Sequence, residues 1–303
     1  MDNPPLLDIG THGRRGSVRR DHFTQAQLDQ IWRTATRVPE VVVKVSGAAS
    51  SATKAMAHFA YIARQGELEI ETDDGQRLAG PEASESLAKN WLLDIDELTG
   101  REPYKGKPGK PSNKLTHHLV LSMPRQTPPD ELFAAAKDFA REEFALQHRY
   151  AMVLHTDQEH PHVHLVVRAI GMNGNRLRID KKKLRSWRQE FAKHLREHGV
   201  RANATPAQVR GKLSNHQRDG VYRAGLRGAS RVLWDKERKA QQGKSDLTPK
   251  VHATRKAVQE KWHAIEMQLW KEDQQQLADL VGRFWRKQVP RTPERARDID
   301  LVR

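Results

Sequence analysis

The sequence contains no cysteine. That excludes disulfides and thiolate metal sites and makes a reducing compartment the default. It also has no apolar run long enough to span a bilayer, and its amino terminus, Met1-Asp-Asn-Pro-Pro, is polar where a signal peptide needs an apolar stretch. A cytoplasmic protein without membrane insertion is therefore expected. There is no internal repeat, no His-Glu-x-x-His helix and no carboxylate cluster of the kind two-metal hydrolases use. Tyrosine is scarce, at four in 303 residues, so each one is conspicuous. Acidic charge is in short supply as well: 53 Lys and Arg face 38 Asp and Glu, a formal net charge of +15. Such a chain sets up a positive field that draws in phosphate polymers, and nucleic acid is the leading class of partner. Hydrophobic residues, at 37%, are sufficient for a packed core.

The residues divide the chain into three parts. Residues 1–38 hold a basic arm with Arg14-Arg15 and Arg19-Arg20, able to touch phosphate or equally a solvated tail, and a short helix from Thr24 to about Thr36 opened by a Thr24/Gln27 capping box. Residues 39–204 mix strands and helices. A strand at Val41–Val45 precedes a helix from Ser51 to Arg64, with Tyr61 on its last turn. A hairpin turning at Asp74-Gly75 and a helix from about Glu82 to Glu97 follow, then a loop dense in Lys, Pro and Gly from Arg101 to Lys114. Beyond it come a strand at Thr116–Met123, a helix from Pro129 to about Gln147 and strands at Tyr150–His155 and His162–Arg168. Asn173-Gly174 predicts one more hairpin turn into Arg176–Ile179, and Lys181–His198 reads as an amphipathic helix. From about 205 to 303 the strands give way to basic helical segments, ending in one long helix around Pro249–Val289. The fold class is thus α/β, a largely antiparallel central sheet flanked by helices, with a helical carboxyl-terminal region.

The richest stretch is Leu154-His155-Thr-Asp157-Gln-Glu159-His160-Pro-His162-Val-His164, followed by aliphatic residues. Alternate residues of a strand share a face, so His162 and His164 point the same way, roughly 6.6 Å apart at the backbone. If Thr156 to Pro161 form the loop, His155 lies directly across from His162 and presents its ring on that same face. A one-residue slip in register would remove it. Three neutral imidazoles meeting at one point suit Mn, Zn, Ni or a similar divalent ion; the cofactor expected is Mg or Mn, with Zn or Ni as alternatives. A solvent-facing pair of histidines is the plainer explanation of His-x-His alone, but the buried strand around it makes unpartnered imidazoles costly. Asp157 is placed to orient a ligand imidazole, to take a proton from a nucleophile, or simply to cap the loop. Glu159 and His160 read as solvated.

The spacing His155-x-Asp157, four residues, His162-x-His164 resembles the third motif of plasmid relaxases of the MobP type, in the HUH endonuclease superfamily, and is close to that of T-DNA border endonucleases. The first motif of that family is similar to His58-Phe-Ala-Tyr61-Ile-Ala-Arg64, and the second to His118-Leu-Val-Leu-Ser122-Met-Pro124. The resemblance runs from about Val41 to about Asn203. It departs from the family at Arg168, where Asn is frequent. It implies a palm-like sheet, Tyr61 as the nucleophile that nicks one DNA strand and keeps a 5′-phosphotyrosyl bond, a metal on the triad, and Ser122 holding DNA. Arg64, three residues on from Tyr61, can reach a neighbouring phosphate, and His118 shares the strand face of Ser122. The implied partners are single-stranded and origin-of-transfer DNA, relaxosome accessory proteins and a type IV coupling protein, with passage to a recipient cell. Two alternatives stand beside this: a non-catalytic basic DNA-binding protein with a structural metal, and a rolling-circle replication initiator. The latter places its tyrosine after the histidines, the reverse of the order here.

Overall fold

The structure, a computed structural model, describes residues 22–99, 114–211, 224–225, 227–228, 230–241 and 249–287. The basic arm, but for its last residue, and the Lys/Pro/Gly-rich loop, but for Lys114, lie outside the described residues. The chain divides into two compact units, residues 38–204 and residues 1–37 with 205–303.

The first unit is built on a six-stranded sheet in the order β1-β4-β6-β5-β2-β3. Its strands are β1 Val42–Ala49, β2 Ile70–Thr72, β3 Arg77–Leu78, β4 Thr116–Ser122, β5 Tyr150–His155 and β6 His162–Arg168, and every pairing is antiparallel. The central strands β4 and β6 are buried along nearly their whole length, which is why they read as apolar runs rather than as alternations. Helices cover both faces. Leu119, Leu121, Val163, Leu165 and Val167 point to one side, where α4 (Pro129–Phe144) and α5 (Lys181–Glu197) supply Phe139, Phe144, Trp187 and Phe191. On the other side Ala151, Val153 and Val166 meet Phe59 and Ile62 of α2 (Ala52–Ile62) and Leu87 and Trp91 of α3 (Ala83–Thr99). By strand parity, His155, His162 and His164 lie on this second face, beside the end of α2.

Helix α2 starts at Ser51, whose side chain accepts from the Lys54 amide. It stops two residues earlier than the sequence suggests. Arg64 and Gln65 adopt left-handed backbone angles, φ 51° and 58°, within a 3-10 turn, and Gly66 follows at φ 97°. A Cβ on Gly66 would fall 2.2 Å from the backbone carbon of Gly80, whose amide donates to the Gly66 carbonyl. Only glycine fits there, and the close approach ties the β2–β3 hairpin to the end of the tyrosine helix.

The expected strand at Arg176–Ile179 is absent. The Asn173-Gly174 turn forms, but pairing amounts to the bridge Ile170–Arg176 and the bonds from the Gly171 amide to the Asn175 carbonyl and from the Leu177 amide to the Ala169 carbonyl. The backbone then commits to α5, since Asp180 accepts from the Lys183 amide as its cap.

The second unit is helical, with no strand among its described residues. Helix α1 (Gln25–Ala35) opens on the Thr24/Gln27 capping box. It buries Ile31 and Ala35 against Val258, Trp262, Ile265 and Val281 from the carboxyl-terminal helices. The single long helix expected at 249–289 is two, α7 (Pro249–Lys271) and α8 (Gln275–Arg286), preceded by α6 (Arg231–Gln241). No Gly or Pro marks the break; Asp273 makes it by adopting φ 57°, a conformation Asp tolerates better than most residues. Folding back brings Ala278, Val281 and Phe284 into the same core as Trp262 and Leu269. The buried carboxylate of Glu266 then holds the hairpin by accepting from Trp285 Nε1 at 2.8 Å and from the Arg286 guanidinium. No helix among the described residues is long and apolar enough to cross a membrane.

A fragment of residues 38–204 is expected to unfold in one cooperative thermal transition. A fragment of residues 1–205 would keep α1 but lose its partners, leaving Leu28, Ile31 and Ala35 exposed, and is expected to bind a hydrophobic dye more strongly. Equal dye binding by the two fragments would contradict this division.

Candidate active site

The antiparallel register pairs His155 with His162, and the pleat puts His164 on the same face two residues on. One ring nitrogen from each of the three residues lies within 4.8 Å of the others. Their tautomers follow from their second partners. His155 Nε2 sits 2.6 Å from the Ile62 carbonyl, and since a carbonyl only accepts, the proton is on Nε2 and Nδ1 carries the free lone pair. That Nδ1 is buried and has no partner. His162 Nδ1 donates to the His160 carbonyl at 3.0 Å, which leaves Nε2 free. His164 Nδ1 is also buried without a partner. Orphaned imidazole nitrogens converging on one point are costly unless something fills the gap between them, and a divalent cation fits this donor set. Backbone carbonyls binding the far nitrogens of two rings are the usual way such ligands are oriented.

Burial keeps the rings of His155 and His164 neutral. Burial, then the neighbouring His155 and His162, hold the pKa of His164 down to about 3. Burial also lowers that of His155, against the opposing pull of the Ile62 carbonyl. At neutral pH these two rings offer lone pairs without having to shed protons.

Tyr61 lies on the last turn of α2 with 59% of its surface exposed. The next residue, Ile62, supplies the carbonyl that anchors His155, so a single hydrogen bond joins the tyrosine helix to the triad. Arg64 reaches the site through its left-handed backbone rather than by continuing the helix, with its guanidinium carbon 5.9 Å from the Tyr61 ring centre. It forms an ion pair with Asp157. Desolvation opposes ionisation of Asp157, but the Arg64 charge, a backbone amide hydrogen bond, His155 and the hydrogen bond from Arg64 together outweigh it, and the pKa lies below the usual carboxylate value. Asp157 therefore holds Arg64. Its Oδ1 is 3.8 Å from His155 Nδ1, too far for a hydrogen bond, and the ligand ring is oriented by Ile62 instead.

On β4, Ser122 is paired with His162 in the ladder and donates its hydroxyl to the Pro161 carbonyl at 3.2 Å. His118 lies farther along the same strand face, with Nε2 2.9 Å from the Thr116 hydroxyl. Its ring stacks on that of His58, 3.5 Å between centres and only 2° from parallel. His58, one turn before Tyr61 on α2, has its ring 6.3 Å from that of Tyr61 and 6.4 Å from that of His164, so it bridges the two. Its Nε2 is buried and without a partner. Arg168, where the sequence departs from the relaxase pattern, is a buried residue whose Nε donates to the Ile170 carbonyl.

The histidines of β4 make a pH prediction. Burial first, then the Lys114 charge, lowers the pKa of His117 to about 4, and burial, then His58, lowers that of His118 to about 3. Both stay neutral in the fold while the unfolded chain takes up protons below about pH 6.5. Stability is thus undiminished above that pH and falls as the pH drops toward 4, by at most about 1.4 kcal/mol per pH unit for each ring. Between pH 7 and pH 5 the melting temperature is expected to fall by roughly 10 °C, with a shallower slope in His117→Gln. A melting temperature that does not move over this range would contradict it.

Comparison with known proteins agrees with this geometry. Residues 73–200 match the family model described as relaxase, MobA/VirD2-like, nuclease domain. The match includes the triad and begins after Tyr61 and Arg64. The T-DNA border endonucleases VirD2 of Rhizobium rhizogenes and Agrobacterium fabrum are each 25% identical over 142 residues, 42% of this chain and 30% of theirs. That of Rhizobium radiobacter is 23% identical over 190 residues, 57% of this chain and 43% of the relative. The matched region thus spans less than half the length of these relatives. A solved chain from work on the molecular basis of vancomycin resistance transfer in Staphylococcus aureus aligns over 56% of this chain and 99% of its own at 15% identity, with a TM-score of 0.35, too low to bear on the fold. The family match and the curated relatives agree on one likeness: residues 73–200 of this chain are similar to the nuclease domain of MobA/VirD2-like relaxases.

Proposed function

We propose that the protein is a conjugative DNA relaxase that nicks one strand at an origin of transfer and stays attached to the new 5′ end through Tyr61. The observation that supports this reading is the hydrogen bond from His155 to the Ile62 carbonyl, which ties the three-imidazole cluster to the residue next to an exposed tyrosine. His155, His162 and His164 would hold a divalent cation, Mg or Mn by expectation. When bound, it supplies Lewis-acid polarisation of a non-bridging oxygen of the scissile phosphate.

The chain's own residues do the rest. The Tyr61 hydroxyl attacks phosphorus, the Tyr61 Oη–P bond forms and the P–O3′ bond breaks. The phenolic proton leaves to solvent, to which Tyr61 is open, and the departing 3′ oxygen takes one up. Arg64, held by Asp157, places its guanidinium beside the tyrosine ring to bind phosphate. Asp157 is a weak base by its depressed pKa, and its contribution is to position Arg64. His118 and Ser122 line the same sheet face, where the DNA strand would lie. The phosphotyrosyl ester conserves the bond, so the reverse reaction reseals the nick, which suits strand transfer rather than degradation. Relaxosome accessory proteins and a type IV coupling protein are the partners this function calls for.

The test is a pool of single-stranded oligonucleotides with a randomised segment, incubated with the full chain and Mg or Mn and resolved under denaturing conditions. The expected product is a covalent complex carrying the 3′ portion of the cut strand on its 5′ phosphate. No covalent species from the pool, or attachment through a 3′ phosphate, would overturn the proposal.

A further inference from the structure

The loop between β5 and β6 carries metal-site histidines at both ends, and its other side is a cleft. An open cavity of about 450 Å³ is bounded by Thr156, Gln158, Glu159 and Pro161 from this loop and by Arg125 and Thr127 from the segment between β4 and α4. Its size falls within the range of small-ligand sites. Thr156 directly follows His155 and Pro161 directly precedes His162, so whatever occupies the cleft lies next to the triad. Asp157 turns to Arg64 on the active-site side while the next residue, Gln158, lines the cleft. Ser122 connects the two by its hydroxyl bond to the carbonyl of Pro161.

Resting on the relaxase reading, we propose that this cleft seats one unstacked base of the substrate strand beside the nick and reads it through Gln158 and Glu159. The composition of the walls argues for a base over a phosphate. A phosphate seat needs donors and net positive charge, and here the cation in the wall, Arg125, is offset by the Glu159 carboxylate while Asp130 and Glu131 occupy the first turn of the adjoining helix α4. A base edge presents donors and acceptors together. The amide of Gln158 offers both, the Glu159 carboxylate accepts from an exocyclic amine, and the Thr127 and Thr156 hydroxyls take either role. Pro161, which is buried, and Pro129 supply apolar surface for a ring. The Arg125 guanidinium lies 3.9 Å from Glu159, and both side chains are exposed, so the pair separates at little cost when a base enters. Sequence-specific reading of single strands works this way, by splaying bases out and bonding their edges.

The test separates base reading from chemistry by using binding. The full-length Tyr61→Phe variant, which cannot form the ester, selects tight binders from a randomised single-stranded pool, and the selection is repeated with Gln158→Ala and with Glu159→Ala added. The expected result is a preference of about tenfold or more at one position, lost in the added variants while the remaining positions keep theirs. An unchanged preference profile would overturn the proposal. So would a uniform loss of affinity with a shallower salt dependence in Arg125→Ala and no change in base preference, which would mark a phosphate contact. Sequencing the covalent products of the wild-type protein then places that position relative to the nick. If the wild type forms no adduct although Gln158→Ala erases a base preference, the cleft stands and the nicking mechanism falls.

Discussion

Replacing Tyr61 with Phe is expected to abolish the covalent DNA adduct, lowering its rate of formation by at least about a thousandfold, the scale on which removal of a covalent nucleophile is felt. The substitution deletes one hydroxyl from a side chain that is mostly in solvent, so stability should change by less than about 0.5 kcal/mol. The ring that faces Arg64 and His58 is retained. Metal binding and affinity for single-stranded DNA should survive, because neither the triad nor Arg64 is touched. Tyr150 cannot substitute: it is buried on the far face of the sheet, and burial raises its pKa. Tyr104 and Tyr222 lie outside the described residues. Peptide mapping of the wild-type adduct decides the matter, and an adduct on any other residue, or undiminished cleavage by the Phe variant, would sink the assignment.

What made this site readable in the sequence is the short-range regularity of strands. His162 and His164 share a face by parity alone, and the six residues Thr156 to Pro161 are a loop of the length that places His155 opposite His162, the register the sheet shows. Contacts without a local signature were not readable. The Ile62 carbonyl that orients His155 is a backbone atom, which any residue would supply. The stack of His58 on His118 joins residues 60 apart in sequence, and only the tertiary fold brings them together. The same holds for the fold. Capping boxes and alternation located α1 and the β2–β3 hairpin, but nothing local marked the break at Asp273, because the apolar stripe runs straight through it and the gain comes from burying that stripe on itself. Nor did the sequence reveal that α1 packs with helices more than 200 residues away, since an amphipathic face announces that it needs a partner and not which one.

The three histidines proposed as metal ligands should respond differently to replacement, because only His155 also bonds the helix that carries Tyr61. His162→Ala is expected to remove metal binding and, with it, cleavage, while leaving the tyrosine helix where it is: its second bond is to His160, within the same loop. His155→Ala removes a ligand and also frees the Ile62 carbonyl, so the carboxyl-terminal end of α2 loses its bond to β5. That buried bond, with the cavity left behind, should cost about 1 to 3 kcal/mol of stability without metal. The measurement is thermal unfolding with and without Mn. The wild type should gain about 2.7 kcal/mol when the ion is present at a hundredfold over its dissociation constant. Both variants should lose that gain, and only His155→Ala should melt lower in the absence of the ion. Retention of the Mn-induced shift in either variant would show that the cation sits elsewhere. Equal melting of the two variants without metal would show that the Ile62 bond does not tether the helix, and the proposed coupling between metal centre and nucleophile would fail with it.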